Sequence, residues 1–128
     1  MPLKITLKPH ERLILGGAVI RNGDSTVRLL VENEVPILRE KDILSKAEAN
    51  SPCRRIYFVI QLMYVDEQNL AEHHKLYWTL VADSVGAAPS LARYTGPISQ
   101  CVVEKNYYQA LKIARQMTEY EQELTRRI

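Results

Sequence analysis

Near residue 40 the hydrophobic period of this chain changes from two to about 3.6, and no other feature constrains the fold as much. In the stretch VPILREKDIL, Val35, Ile37 and Arg39 alternate with Pro36, Leu38 and Glu40. One face of a short final strand, Val35 to Arg39, then carries Arg39 beside two apolar residues, which puts a charged fork at the rim of a sheet. Lys41, Asp42, Ile43 and Leu44 follow, with Asp42 placed to cap a short helix. The pattern predicts an α+β chain. An N-terminal antiparallel five-stranded small sheet or barrel occupies residues 1–44, and a C-terminal α-helical part of three to four helices occupies 45–128.

The strands are short and closely punctuated. Leu3, Ile5 and Leu7 alternate with Lys4, Thr6 and Lys8, giving one apolar face and one basic polar face, until Pro9 ends the ladder. Arg12 to Leu15 and Ala18 to Arg21 flank Gly16-Gly17, a pair that tolerates positive φ in a tight connection. Asn22-Gly23-Asp24-Ser25 is a turn, and Thr26 to Glu32 resumes the alternation with Val27, Leu29 and Val31 on one side.

The helical remainder opens at Ser51-Pro52, Ser at the cap and Pro at the first helical position. RRIYFVIQLMYVDE is apolar on several faces, which predicts a buried helix. Asn69 caps a second helix whose stripe runs through Leu70, Tyr77 and Val85, and Gly86 and Pro89 stop it. A third segment from Ser90 to Val103 is expected to kink or break at Gly96-Pro97. Glu104 to Leu124 is the clearest helix, with Tyr107, Ala110, Leu111, Ala114, Met117 and Leu124 on one stripe.

Charge bounds the partners. The first 55 residues hold ten Lys and Arg against seven Asp and Glu, and the remainder seven against eight. So small a surplus permits phosphate binding without demanding it. Cys53 and Cys101 cannot define a disulfide framework, and buried, reduced thiols are expected. The opening MPLKITLKPH lacks the features of a secretory signal, and no window approaches a membrane span. A cytoplasmic protein that does not engage membrane is expected.

Glu72-His73-His74 invites a metal or acid/base reading, yet adjacent helical residues point about 100° apart and no HExxH spacing or third ligand stands nearby. No Walker loop, GxGxxG or GxSxG occurs. No enzymatic activity, metal or cofactor is expected. Tyr57-Phe58 and Tyr107-Tyr108 suit a helical core or interface better than base stacking. Lys4, Thr6 and Lys8, with Arg39 on another strand, are different in kind: phosphate and base-edge recognition needs cationic donors fixed on a rigid sheet. These four are the candidate nucleic-acid-binding residues. Short strands with open edges also favour a homo-oligomer, with a dimer formed by the helical part.

PLKITLKPHERLILGGAVIRNGD, VPILREKDIL, RRIYFVIQLMY and the final NYYQALKIARQMTEYE together resemble the FlbT family of flagellar biosynthesis regulators, in order and over nearly the whole chain. LARYTGPISQ departs from the family pattern. The resemblance implies a small cytoplasmic bacterial protein that controls flagellin synthesis after transcription. Such a protein associates with the 5′ untranslated region of flagellin mRNA, affects its translation or lifetime, and represses in some bacteria while activating in others. A flagellar protein partner reached through the helices is the competing expectation; DNA is not expected.

Residues 1–44 also resemble the carbon-storage-regulator family of RNA-binding proteins in strand one, the HERL turn, the LILGG corner and PILREKDI. That likeness implies RNA contacts at Thr6 and Lys8 on the first strand and at Arg39 on the last. Leu7 departs, since that family has a basic residue there.

Overall fold

The computed structural model describes residues 2–126, and the chain divides into two compact units, Met1–Ile43 and Leu44–Ile128. The first unit holds five strands: β1 (Leu3–Leu7), β2 (Arg12–Leu15), β3 (Ala18–Arg21), β4 (Val27–Val31) and β5 (Ile37–Arg39). All pairings are antiparallel, but the strands form two sheets, β1-β4 and β3-β2-β5. The inner sides meet at fully buried Ile5, Leu7 and Leu13, with Val27, Leu29, Val31 and Ile37 packed against them. The alternation of β1 and β4 thus turns Ile5, Leu7, Val27, Leu29 and Val31 toward the core and the intervening residues to water, with Leu3 at the start of β1 left 51% exposed.

Local chemistry sets the corners. Leu15 pairs with Ala18 across a two-residue loop, and Gly16 takes φ +60, a conformation open to glycine at no steric cost. The Asn22 side chain donates to the carbonyls of Leu7, Lys8 and Ser25, and its oxygen accepts from the Gly23 amide. One amide group therefore stitches the end of β1 to the turn before β4. The last strand is shorter than its alternation suggested: Pro36 has no N–H for the ladder, and its carbonyl instead accepts from the Gly16 amide at 2.8 Å. Asp42 does not cap a helix. Glu40–Asp42 make a single 3-10 turn that returns to extended backbone at Ile43.

The second unit holds α1 (Pro52–Val65), α2 (Leu70–Ala87), α3 (Ala92–Val103) and α4 (Tyr107–Arg126). α1 lies between α2 and α4, and α4 also packs α3. That central position explains the many apolar faces of α1, where Cys53, Ile56, Tyr57, Val59, Ile60 and Met63 are all buried. Its start is capped twice. Ser51 Oγ accepts from the Arg54 amide at 3.2 Å, and Glu121 of α4 accepts from the Ser51 hydroxyl and from the Cys53 amide at 3.0 Å. Buried Gln61 clamps the connector, accepting from the Leu44 amide and donating to the Leu44 carbonyl at 2.8 and 3.0 Å. Asn69 stands at the N-cap of α2 but makes no cap bond: it closes the 3-10 turn Glu67–Asn69 that leads into the helix, and its Nδ2 donates to Asp66 Oδ2 at 3.1 Å.

Two boundaries differ from the sequence reading. α3 is preceded by a 3-10 turn over Pro89–Leu91 and runs as one helix through Gly96-Pro97. The carbonyl that Pro97 leaves without its partner is that of Arg93, in the exposed first turn where water can satisfy it, while Thr95, Ile98 and Val102 hold the other face in the core. α4 begins at Tyr107, not Glu104, because α3 ends in a left-handed cap: Lys105 takes φ +60, its amide bonds the Val102 carbonyl, and the Asn106 amide bonds the Cys101 carbonyl. Lysine holds a place that glycine adopts without strain. Lys105→Gly is therefore expected to raise stability by about 1 kcal/mol, read as an upward shift of the urea midpoint at unchanged slope.

No helix among the described residues is long and apolar enough to cross a membrane.

Candidate nucleic-acid interface

β1 and β4 pair with Lys4 opposite Leu30 and Thr6 opposite Arg28, so these four side chains share the outward face of the two-stranded sheet. All four residues are exposed, Leu30 to 60%. Lys8 follows one step past β1, also exposed, its amide bonded to Glu11 Oε1 at 2.9 Å. Lys4, Lys8 and Arg28 make no ion pair among the described residues, and no acidic side chain stands on the outward positions of either strand. Three cations over so small an area leave a surface suited to an anion.

Arg39 sits differently. Its strand pairs with β2, Arg39 standing opposite Leu13 in the other sheet, while β1 is paired with β4. The guanidinium nevertheless reaches back: Nη2 donates to the Thr6 carbonyl at 2.7 Å and lies 3.6 Å from Glu11 Oε2. Its side chain keeps 42% of its exposure while Glu11 keeps 16%. Arg39 is thus a strut between the sheets with part of its fork left to solvent. Of the four sequence candidates, Lys4, Thr6 and Lys8 share the face, and Arg39 joins it at the Thr6 backbone.

Arg28 was not singled out by sequence, although it occupies the polar side of an alternating strand; its place beside Thr6 follows only from the pairing of β1 with β4. Neighbouring Arg12 is engaged, its backbone amide and Nε both directed to Glu40 Oε1 at 3.2 and 3.3 Å. His10, in a left-handed turn at φ 64, lies 3.4 Å from Asp24 on an open surface.

In the helical unit the two adjacent histidines diverge. His73 Nε2 lies 3.0 Å from Asp66 Oδ2 and His74 Nε2 lies 2.8 Å from the Tyr107 hydroxyl. Hydrogen bonds from His73 and Asn69 hold the Asp66 carboxyl below the usual carboxylate range. No group of three or more His, Cys, Asp or Glu among the described residues could hold a metal ion. Both cysteines are free thiols: Cys53 is buried and Cys101 half-buried. Tyr57 belongs to the core, and Tyr108 lies under the Lys112 ammonium, 5.0 Å from its ring centre.

A sequence profile of the family described as "Flagellar protein FlbT" matches residues 3–125 of the chain. The chain is 44% identical over 125 residues to the "Probable flagellum biosynthesis repressor protein FlbT 1" of Bradyrhizobium diazoefficiens, a match that covers 97% of this chain and 85% of that one. It is 40% identical over 123 residues to the "Probable flagellum biosynthesis repressor protein FlbT" of a Caulobacter species, covering 94% of each. To the "Flagellum biosynthesis repressor protein FlbT" of Caulobacter vibrioides it is 38% identical over 125 residues, covering 96% of this chain and 89% of that one. None of these names carries an enzymatic activity. No solved structure matches the chain. With matches of this strength running from the first strand into the last helix, the chain belongs to the FlbT family of flagellar proteins.

Proposed function

We propose that this protein is a cytoplasmic regulator of flagellar biosynthesis that binds the 5′ untranslated region of flagellin mRNA and alters its translation or stability. Three relatives of high coverage carry names that include flagellum biosynthesis repressor. The observation that carries the RNA reading is the outward face of β1, where Lys4, Thr6 and Lys8 stand exposed with no acidic neighbour on the paired strands and Arg39 closes on the Thr6 carbonyl. Lysines serve there as point charges for phosphate, and the part-exposed Arg39 fork supplies planar donors for phosphate or a guanine edge. The open edges of the two-stranded sheet add a homo-oligomer to the reading.

The test is a titration of a flagellin leader RNA at physiological salt with wild type and Arg39→Ala, with the melting temperature of each measured alongside. Salt-sensitive binding by wild type is expected, and Arg39→Ala should weaken it by about 1–3 kcal/mol. Because Arg39 also ties the sheets, its loss should lower stability by about 1 kcal/mol. Absence of any salt-sensitive binding by wild type would sink the direct reading. A loss of stability with unchanged affinity would leave Arg39 a strut only.

A second reading, an adaptor that meets a flagellar protein through its helices and touches RNA only through that partner, rests on a separate observation. Leu76, Trp78, Val103 and Tyr108 are large apolar side chains exposed on the helical unit.

A further inference from the structure

Every Phe, Trp and Tyr of the chain lies beyond residue 56, so the N-terminal unit offers a base no aromatic ring but the His10 imidazole, which lies 3.4 Å from Asp24 in the turn after β1. Recognition on this unit therefore rests on charge and hydrogen bonding. Within that limit the cations are unequal. Arg39 is committed to the Thr6 carbonyl and lies beside Glu11, and Arg12 is committed to Glu40. Arg28 is exposed, without an ion pair among the described residues, and stands directly across from Thr6, between the positions of Lys4 and Lys8 along β1. At about 3.3 Å per residue, Lys4 and Lys8 are about 13 Å apart along the strand, with Arg28 one strand spacing, about 4.8 Å, to the side of their midpoint. Leu30, exposed beside Lys4, adds an apolar floor.

We propose that Arg28 is a second guanidinium of this face that contacts RNA beside Arg39, and that Lys4, Lys8 and Arg28 together take three phosphates of a single strand by charge, without base stacking. This rests on the RNA-binding reading above and names what the site grips: the polyphosphate backbone, at positions where base identity is not read. Besides offering its free edge to RNA, Arg39 holds the β1 backbone at Thr6 so that the three cations keep their spacing. Within β1 and β4 the outward positions are Lys4, Thr6, Arg28 and Leu30 with no acid, Glu32 following just past β4 and Glu11 bonded to the Lys8 amide, so the three cations outweigh the bordering carboxylates and favour a polyanion.

The test uses the full chain and a labelled, unstructured oligouridylate, with phosphatidylserine vesicles as the other anionic probe. Each phosphate contact on a single strand contributes about −0.7 to the slope of log affinity against log salt, so three contacts give about −2. Arg28→Ala should reduce that slope by about 0.7 and weaken binding about fourfold at 0.15 M salt, and Arg28→Lys should restore the slope. The melting temperature should stay unchanged, since Arg28 is exposed and makes no ion pair among the described residues. Wild-type binding to oligouridylate with an unaltered slope in Arg28→Ala overturns the assignment of Arg28 and leaves RNA binding standing. No wild-type binding to oligouridylate or to a flagellin leader overturns the RNA reading itself. Leader binding that survives at full strength while oligouridylate fails shows base-specific recognition and overturns the phosphate assignment. Binding to the vesicles and not to either RNA overturns both.

Discussion

Leu13→Ala should unfold the N-terminal unit. Leu13 is fully buried on β2, the middle strand of its sheet, in the one layer where the two sheets meet. Cutting its side chain back to a methyl loses the transfer free energy of the missing carbons and leaves a cavity between two sheets whose strands are each fixed by their own ladder hydrogen bonds, a cost of about 2–5 kcal/mol. The unit can ill absorb it. It contains 43 residues, close to the size below which domains need staples, and the layer between its sheets centres on three buried residues, Ile5, Leu7 and Leu13, with Ile14 and Leu38 also buried in the unit. We expect the amide resonances of residues 3–39 to lose their strand dispersion in a proton–nitrogen spectrum at 37 °C, with RNA binding lost alongside. Val19→Ala, on the exposed edge strand β3, is the control and should change stability by less than about 0.5 kcal/mol. If Leu13→Ala kept both the dispersed resonances and the wild-type melting temperature, the layer between the sheets would not be the source of the unit's stability.

The second large effect concerns Cys53. Burial, reinforced by the Glu121 carboxylate beside it, pushes the thiol up from an ordinary 9.0 to about 12. Near neutral pH the reactive thiolate is then about 1000-fold rarer than for a free thiol, since each unit is a factor of ten. Iodoacetamide should therefore label Cys53 about 1000-fold more slowly in the native protein than in urea, and Cys101, half-buried, should label first. The same shift couples stability to alkali. Between pH 9 and about 12 the unfolded chain has released this proton and the folded chain retains it, so the unfolded state binds fewer protons and stability falls as pH rises. The contribution is fully present below pH 9. Urea midpoints measured from pH 8 to 11 should fall more steeply for wild type than for Cys53→Ala. Parallel curves, or prompt native labelling of Cys53, would falsify the placement of this thiol against Glu121.

Gln61 and Glu121 show how far a linear pattern reaches. Each lies on a helix that periodicity identifies. Nothing in the period says that Gln61, on the predominantly apolar α1, turns both ends of its amide on Leu44 seventeen residues earlier, or that Glu121 returns to the start of a helix whose N-cap Ser51 lies seventy residues before it. A buried polar side chain is tolerated where its hydrogen bonds are met, and those partners are distant in the chain. Asn22 is intermediate: its turn is legible from Asn-Gly-Asp-Ser, whereas its bonds to Leu7 and Lys8 depend on where β1 ends.

The amino-acid sequence by itself determined the α+β order, the five strands, a C-terminal part of three to four helices, the Ser51-Pro52 start and the inward faces of β1 and β4, because all of these follow from side-chain period and from residues with restricted backbones. Its family followed as well, since the matching segments run in order through the chain. The division of the strands into two sheets, the continuity of α3 through Pro97 and the start of α4 at Tyr107 were decided by tertiary structure. Strand partnership is a choice among edges that all offer the same backbone groups, and the solvent exposure of one freed carbonyl settles whether a proline ends a helix. The same holds at the candidate interface. Lys4, Thr6 and Lys8 were legible as one face of one strand, but only the pairing of β1 with β4 put Arg28 beside them, and only the stacking of the two sheets turned Arg39 toward the Thr6 carbonyl.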